Sequence, residues 1–179
     1  MKRPLDLILT LALLVALPMV ARGAAPDPWS RWRFLIGEWT DAGTGDPGGG
    51  NGGSTFALEL DGKILVRHNR ADYPATPDRP AVAHRDLLIV HPGTSDSLFR
   101  ASYFDNEGHV IQYRVLVPAA GGRAIFDSDG LEPGPRFRLT YEMQADGGVA
   151  VAFFTGLPGG ELKRYISGML RRTAATPGR

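Results

Sequence analysis

Apolar and polar residues alternate most regularly between positions 99 and 117, where a turn makes the register legible. Asn106, Glu107 and Gly108 suit a three-residue hairpin loop, a type I turn closed by a left-handed residue that glycine supplies without steric cost. Asp105 then lies opposite His109, Tyr103 opposite Ile111, Ala101 opposite Tyr113 and Phe99 opposite Val115. One face is almost wholly apolar or aromatic, while Arg100, Ser102, Gln112 and Arg114 take the other. A two-residue turn would slip the pairing by one and mix the faces, which strand periodicity disfavours.

The same reading extends along the chain. Asp27 as N-cap and Pro28 as first helical residue predict a short helix over 28–36 carrying Trp29, Trp32, Phe34 and Leu35. A first strand follows over 38–43, then a glycine-rich loop over 44–53. That loop has neither the spacing nor the lysine of a phosphate loop. Strands over 54–60 and 63–73 join at Asp61-Gly62, with a register open to a shift of one residue; in both, Ile64, Val66, His68 and Arg70 share a face. A proline-rich loop leads to a strand over 82–91, and the hairpin comes next. Strands over 123–127, 135–144, 149–155 and 162–172 complete the set, with Phe137, Leu139, Tyr141 and Met143 alternating against Arg136, Arg138, Thr140 and Glu142. No second helical run supports a parallel sheet. The pattern predicts an all-β domain over 27–173, a single antiparallel up-and-down barrel of about ten strands with its short helix at the closed end.

Composition adds a compartment. Lys2 and Arg3 precede an apolar run from Leu7 to Val20, and small residues follow, so 1–23 reads as a cleaved signal peptide. No cysteine stands near the cut, which excludes a lipoprotein anchor, and the reading is a periplasmic or secreted chain with no membrane span after cleavage. The mature chain retains 17 basic and 18 acidic residues, so the excess charge of the full chain belongs to the leader and no basic patch suggests nucleic acid. With no cysteine, the stabilisation must come from a core rather than from disulfides.

Up-and-down parity sorts the chemistry. Connections after odd-numbered strands fall at one end, so the glycine-rich loop, the proline loop and the Asp105/His109 tip gather there, with His68 and Arg70, His84 and Asp86, and Arg136 and Arg138 close by. The helix, Trp39 and the end of the last strand gather at the other.

A resemblance then becomes specific. A short helix, Gly37-Glu38-Trp39 opening the first strand, and a basic residue ending the last are similar to the lipocalin and calycin pattern. Ten strands are closer to the fatty-acid-binding and nitrobindin-type barrels, although no histidine after His109 is placed as a nitrobindin haem ligand. The stretches FLIGEW, LELDGKILVR, YFDNEGHVIQY and PRFRLTY resemble a family of uncharacterised bacterial lipocalin-like proteins. The resemblance implies a barrel, a ligand cavity, and a tryptophan, Trp39, stacked under Arg171 or Arg172, of which Arg171 is taken as the partner.

Each polar candidate has two readings. His109 with Asp105 forms an acid–base pair, or Asp105 caps its turn beside a rim histidine. Tyr103 and Tyr113 offer hydroxyls to a ligand, or are core aromatics. His84 and Asp86 project the same way, a two-ligand metal fragment at most, so no metal and no cofactor is expected. His68 and Arg70 contact an anionic head group, or are a solvated strand end. Arg138 points outward by alternation and reaches a pocket only through a bulge. No nucleophile motif is present. The expected function is binding of a small hydrophobic or amphipathic ligand inside the barrel, with a polar rim of His68, Arg70, His84, Asp86, Tyr103, His109, Tyr113 and Arg138; the alternative is a cofactor-free isomerase or hydrolase using His109, Asp105 and His84.

Overall fold

Antiparallel pairing runs in chain order and returns on itself in the computed structural model, which describes residues 27–42, 51–93, 98–128 and 134–173. The strands are β1 (Gly37–Asp41), β2 (Asn51–Glu59), β3 (Ile64–Tyr73), β4 (Val82–Pro92), β5 (Leu98–Asp105), β6 (Val110–Leu116), β7 (Arg123–Ser128), β8 (Arg136–Met143), β9 (Val149–Gly156) and β10 (Lys163–Arg172). Each pairs with its sequence neighbours, and β1 with β10, so the barrel has no free edge. The expected signal peptide at 1–23, most of the glycine-rich loop and part of the β7–β8 connection lie outside the described residues.

The hairpin register matches the alternation that predicts it. Phe99 pairs with Val115, Ala101 with Tyr113 and Tyr103 with Ile111, and Gly108 takes φ +93° in the loop. At the β2–β3 hairpin the open register is resolved by a four-residue connection in which Leu60, Asp61 and Gly62 all have positive φ and Glu59 pairs with Ile64. Leu65 and Arg67 are buried inward as a result, and His68 and Arg70 stand exposed on the outer wall.

β2 begins three residues before the expected strand. In a closed barrel it is paired on both sides, Gly53 with Thr40 and with Arg70, and the double ladder holds residues of poor strand propensity.

The helix expected over 28–36 is replaced by a single 3₁₀ turn, Ser30–Trp32. Trp29, Trp32 and Leu35 recur every third residue, and i→i+3 bonds from Trp32 N to Trp29 O (2.9 Å) and from Leu35 N to Trp32 O (2.8 Å) set all three on one face. That face plugs the barrel: Trp32 has no exposed surface and meets the edges of Phe99 and Phe126.

The plugged end is fastened by the arginine that pairs with Trp39. Arg172 places its guanidinium carbon 4.4 Å from the Trp39 ring centroid and donates to the carbonyls of Ile36 (2.9 Å) and Phe34 (3.3 Å). Arg171 is therefore not the stacking partner. One residue along, it pairs with Thr40, faces outward and binds Asp146 at 2.8 Å. Gly37 has φ +131°, and a Cβ there would lie 2.4 Å from Arg172 Nη1, so the Gly-x-Trp spacing leaves room for the guanidinium.

Candidate functional site

The two halves of the interior differ. Toward the plug, Phe56, Phe99, Tyr113, Val115, Phe126 and Tyr141 are all buried and close-packed. Toward the hairpin end, the inward residues Tyr103, Ile111, Phe137 and Phe153 stay partly exposed, with Phe137 and Phe153 stacked at 5.7 Å. Tyr113 is thus a core aromatic, edge-on to Phe126, and not a rim hydroxyl.

Between these halves lies a polar layer. Cross-strand pairing sets Ser54, Asn69, Asp86 and Asp105 in one inward row across β2 to β5, so two carboxylates face each other on neighbouring strands. Like charges so placed repel, and the surrounding side chains answer each of them. Arg67, from β3, donates to Asp86 and to the Tyr141 hydroxyl. Asn69 Nδ2 donates to Asp86 Oδ2 at 2.7 Å, and Asn69 Oδ1 accepts from Ser54 Oγ at 2.8 Å. His84 contacts Asp86 through Nε2 at 3.1 Å and Glu107 through Nδ1 at 2.9 Å. Asp105, almost wholly buried, accepts from the backbone N–H groups of Glu107 and His109, from His109 Nδ1 at 2.8 Å and from the Tyr103 hydroxyl at 3.2 Å.

These contacts determine charge. Hydrogen bonding to Asp86 pushes His84 up, burial opposes, and Glu107 adds to the rise, which carries the imidazole to about 9. Burial pushes the Asp86 carboxyl up, but Arg67, His84 and Asn69 outweigh it and hold it at about 2. Arg67 is opposed by burial, yet Asp86 and Tyr141 keep it firmly protonated. Its Nε has no hydrogen-bond partner among the described residues. The layer is therefore a buried guanidinium and a half-buried imidazolium bridged by one carboxylate. Burial also raises the hydroxyls of Tyr103 and Tyr141, so both stay neutral, Tyr103 donating to Asp105 and Tyr141 accepting from Arg67.

No protein-family model matches the chain, and no curated protein matches it.

Of the residues expected at the rim, His84, Asp86, Tyr103, Asp105 and His109 come together. His68 and Arg70 do not join them: His68 faces Glu59 at 3.9 Å, Arg70 binds Asp72 at 2.5 Å, and both line an open depression of about 880 Å³ across β2 to β5. Arg138 also faces out, gripping Asp127 through two bonds of 2.5 and 3.0 Å, because Phe137 and Leu139 take the inward positions. An imidazole within hydrogen-bond reach of a carboxylate, the arrangement a general base needs, occurs at both His84 and His109. His84 has both nitrogens engaged by carboxylates and is protonated at neutral pH, so it acts as a donor rather than a base. His109 lies on the hairpin tip with its side chain 64% exposed.

Arg67, Asn69, Glu107 and Tyr141 escape the sequence reading. Arg67 and Asn69 share the face that an unresolved register left open, and the turn that decides it places Leu60, an unusual residue for positive φ, in the left-handed region. Tyr141 is visible only as one apolar member of an alternating strand.

Proposed function

We propose that this chain is a periplasmic or secreted lipocalin-like barrel that holds a small, mainly hydrophobic or amphipathic molecule in the hairpin half of its interior, with the polar part of that molecule against the Arg67–Asp86–His84–Tyr103 layer. The observation that carries this reading is the guanidinium of Arg67, buried at the barrel's centre with its Nε unpartnered, beneath a ring of inward apolar side chains that remain partly exposed. Burying an ion pair contributes little to stability compared with apolar packing of similar volume. An incompletely bonded one beneath an apolar ring suits ligand capture better than structure. The Phe137–Phe153 pair and Ile111 supply apolar contact, while Arg67 Nε is the uncommitted donor of the layer beneath them.

The test is a titration of the purified chain with Nile red, followed by displacement with a panel of fatty acids, sterols and haem. One saturable dye site is expected, displaced by at least one class of molecule and abolished in Phe153→Arg, which fills the interior from β9. Dye uptake that never saturates, or that survives Phe153→Arg unchanged, would overturn the reading.

A further inference from the structure

At the edge of the polar layer, and sharing His84 with it, the hairpin tip brings further donors to the start of β4. One ligand atom from each of His84, Asp105 and Glu107 lies within 4.8 Å of the other two. We propose that His84, Asp105 and Glu107 form a binding site for one divalent transition-metal ion, taken up through His84 Nδ1 and one oxygen of each carboxylate.

The first argument is geometry. An ion bound at about 2.1 Å holds its donors roughly 3–3.5 Å apart, and closing the observed spacing requires movement of about an ångström. Glu107 makes that movement readily, because it sits on the turn with its side chain half exposed, and it also leaves an approach from solvent. The second is charge. Two carboxylates and a neutral imidazole balance the charge of a divalent cation, and the neighbouring Asp86 is already met by Arg67. Metal entry displaces the Nδ1 proton of His84 to solvent.

The third is the surrounding support. Asp86 accepts at His84 Nε2, the carboxylate–histidine arrangement that orients a ligating ring and raises its basicity, and Asp86 is itself held by Arg67 and Asn69. His109 Nδ1 and two backbone amides orient Asp105, which makes His109 a positioning residue. The two elements that supply the donors are clamped together independently of any charge. Asn106 Nδ2 donates to Ala83 O at 2.8 Å, its Oδ1 accepts from Arg85 N at 2.8 Å, and its backbone N–H donates to Arg85 O at 3.0 Å. One imidazole with two carboxylates suits zinc or manganese better than magnesium or calcium, which take oxygen ligands alone. Three protein ligands leave a position open for water.

Calorimetric titration of the full chain with zinc chloride tests the site. One zinc per chain with micromolar or tighter affinity is expected, undisturbed by millimolar magnesium, weakened more than tenfold in Glu107→Gln and in His84→Ala, and unchanged in His68→Ala and His91→Ala. Glu107→Gln alters an exposed turn residue and keeps the test valid if His84→Ala fails to fold. The absence of stoichiometric uptake, retention of affinity in Glu107→Gln, displacement by magnesium, or equal loss in His68→Ala would each overturn the proposal.

Discussion

Arg67 is the residue on which the interior turns. Its guanidinium joins Asp86 on β4 to Tyr141 on the far wall, and with His84 it neutralises the Asp86 carboxylate. Removing one member of a buried pair strands the other, so Arg67→Met is expected to destabilise the chain by about 3–5 kcal/mol in urea unfolding, while Arg67→Met with Asp86→Leu recovers most of the loss. If the double variant is no more stable than the single, the pair is not the source of the cost. The same residues set the pH response. Asp86 titrates at about 2 in the folded chain against 3.8 when unfolded, so its contribution is present above 3.8 and lost as the pH falls through about 2. That contribution is on the order of 2 kcal/mol, and the double variant should lack this acid limb. His84 works in the opposite sense: raised from 6.5 to about 9, it adds stability that is fully present below 6.5 and lost as the pH rises through about 9. Thermal melts from pH 2 to 10 read both limbs.

At the scale of elements, the plugged end depends on one close approach. Arg172 passes over Gly37 to stack on Trp39 and cap the carbonyls of Phe34 and Ile36, where the 3₁₀ segment hands over to β1. Gly37→Ala adds a Cβ at positive φ against that guanidinium and is expected to cost about 1–3 kcal/mol, read as a lowered Tm. Arg171→Ala removes an exposed ion pair with Asp146 and is expected to cost under about 1 kcal/mol. Arg172→Ala should resemble Gly37→Ala; equal effects of the two arginine variants would show that the stacking does not fasten the floor. The hairpin tip is the corresponding element at the other end. Its side chains do two jobs at once, since Asp105 closes the turn through backbone N–H groups while its outer oxygen faces His109 and Tyr103.

For the molecule as a whole, the barrel acts as a scaffold with one packed pole and one loosely filled pole. Among the described residues no helix is long and apolar enough to cross a membrane. If 1–23 is a cleaved signal, the chain recovered from a periplasmic fraction should lack roughly those residues by intact mass; recovery of the unprocessed mass from cytosol alone would remove the proposed compartment. Strand order, the β5–β6 register and the gathering of odd-numbered connections at one end were legible from alternation and turn chemistry, because each follows from contacts between residues close in sequence. The choice of Arg172 over Arg171 and the inward face of Arg67 were not legible. Both hang on registers that a one-residue slip reverses, set by β1 meeting β10 and by an irregular turn at Leu60–Gly62. Local pattern thus determined that there would be a barrel and which residues sat near each end. Only closure decided which charges went inside, since an inward charge is tolerated only where partners from other strands arrive to meet it.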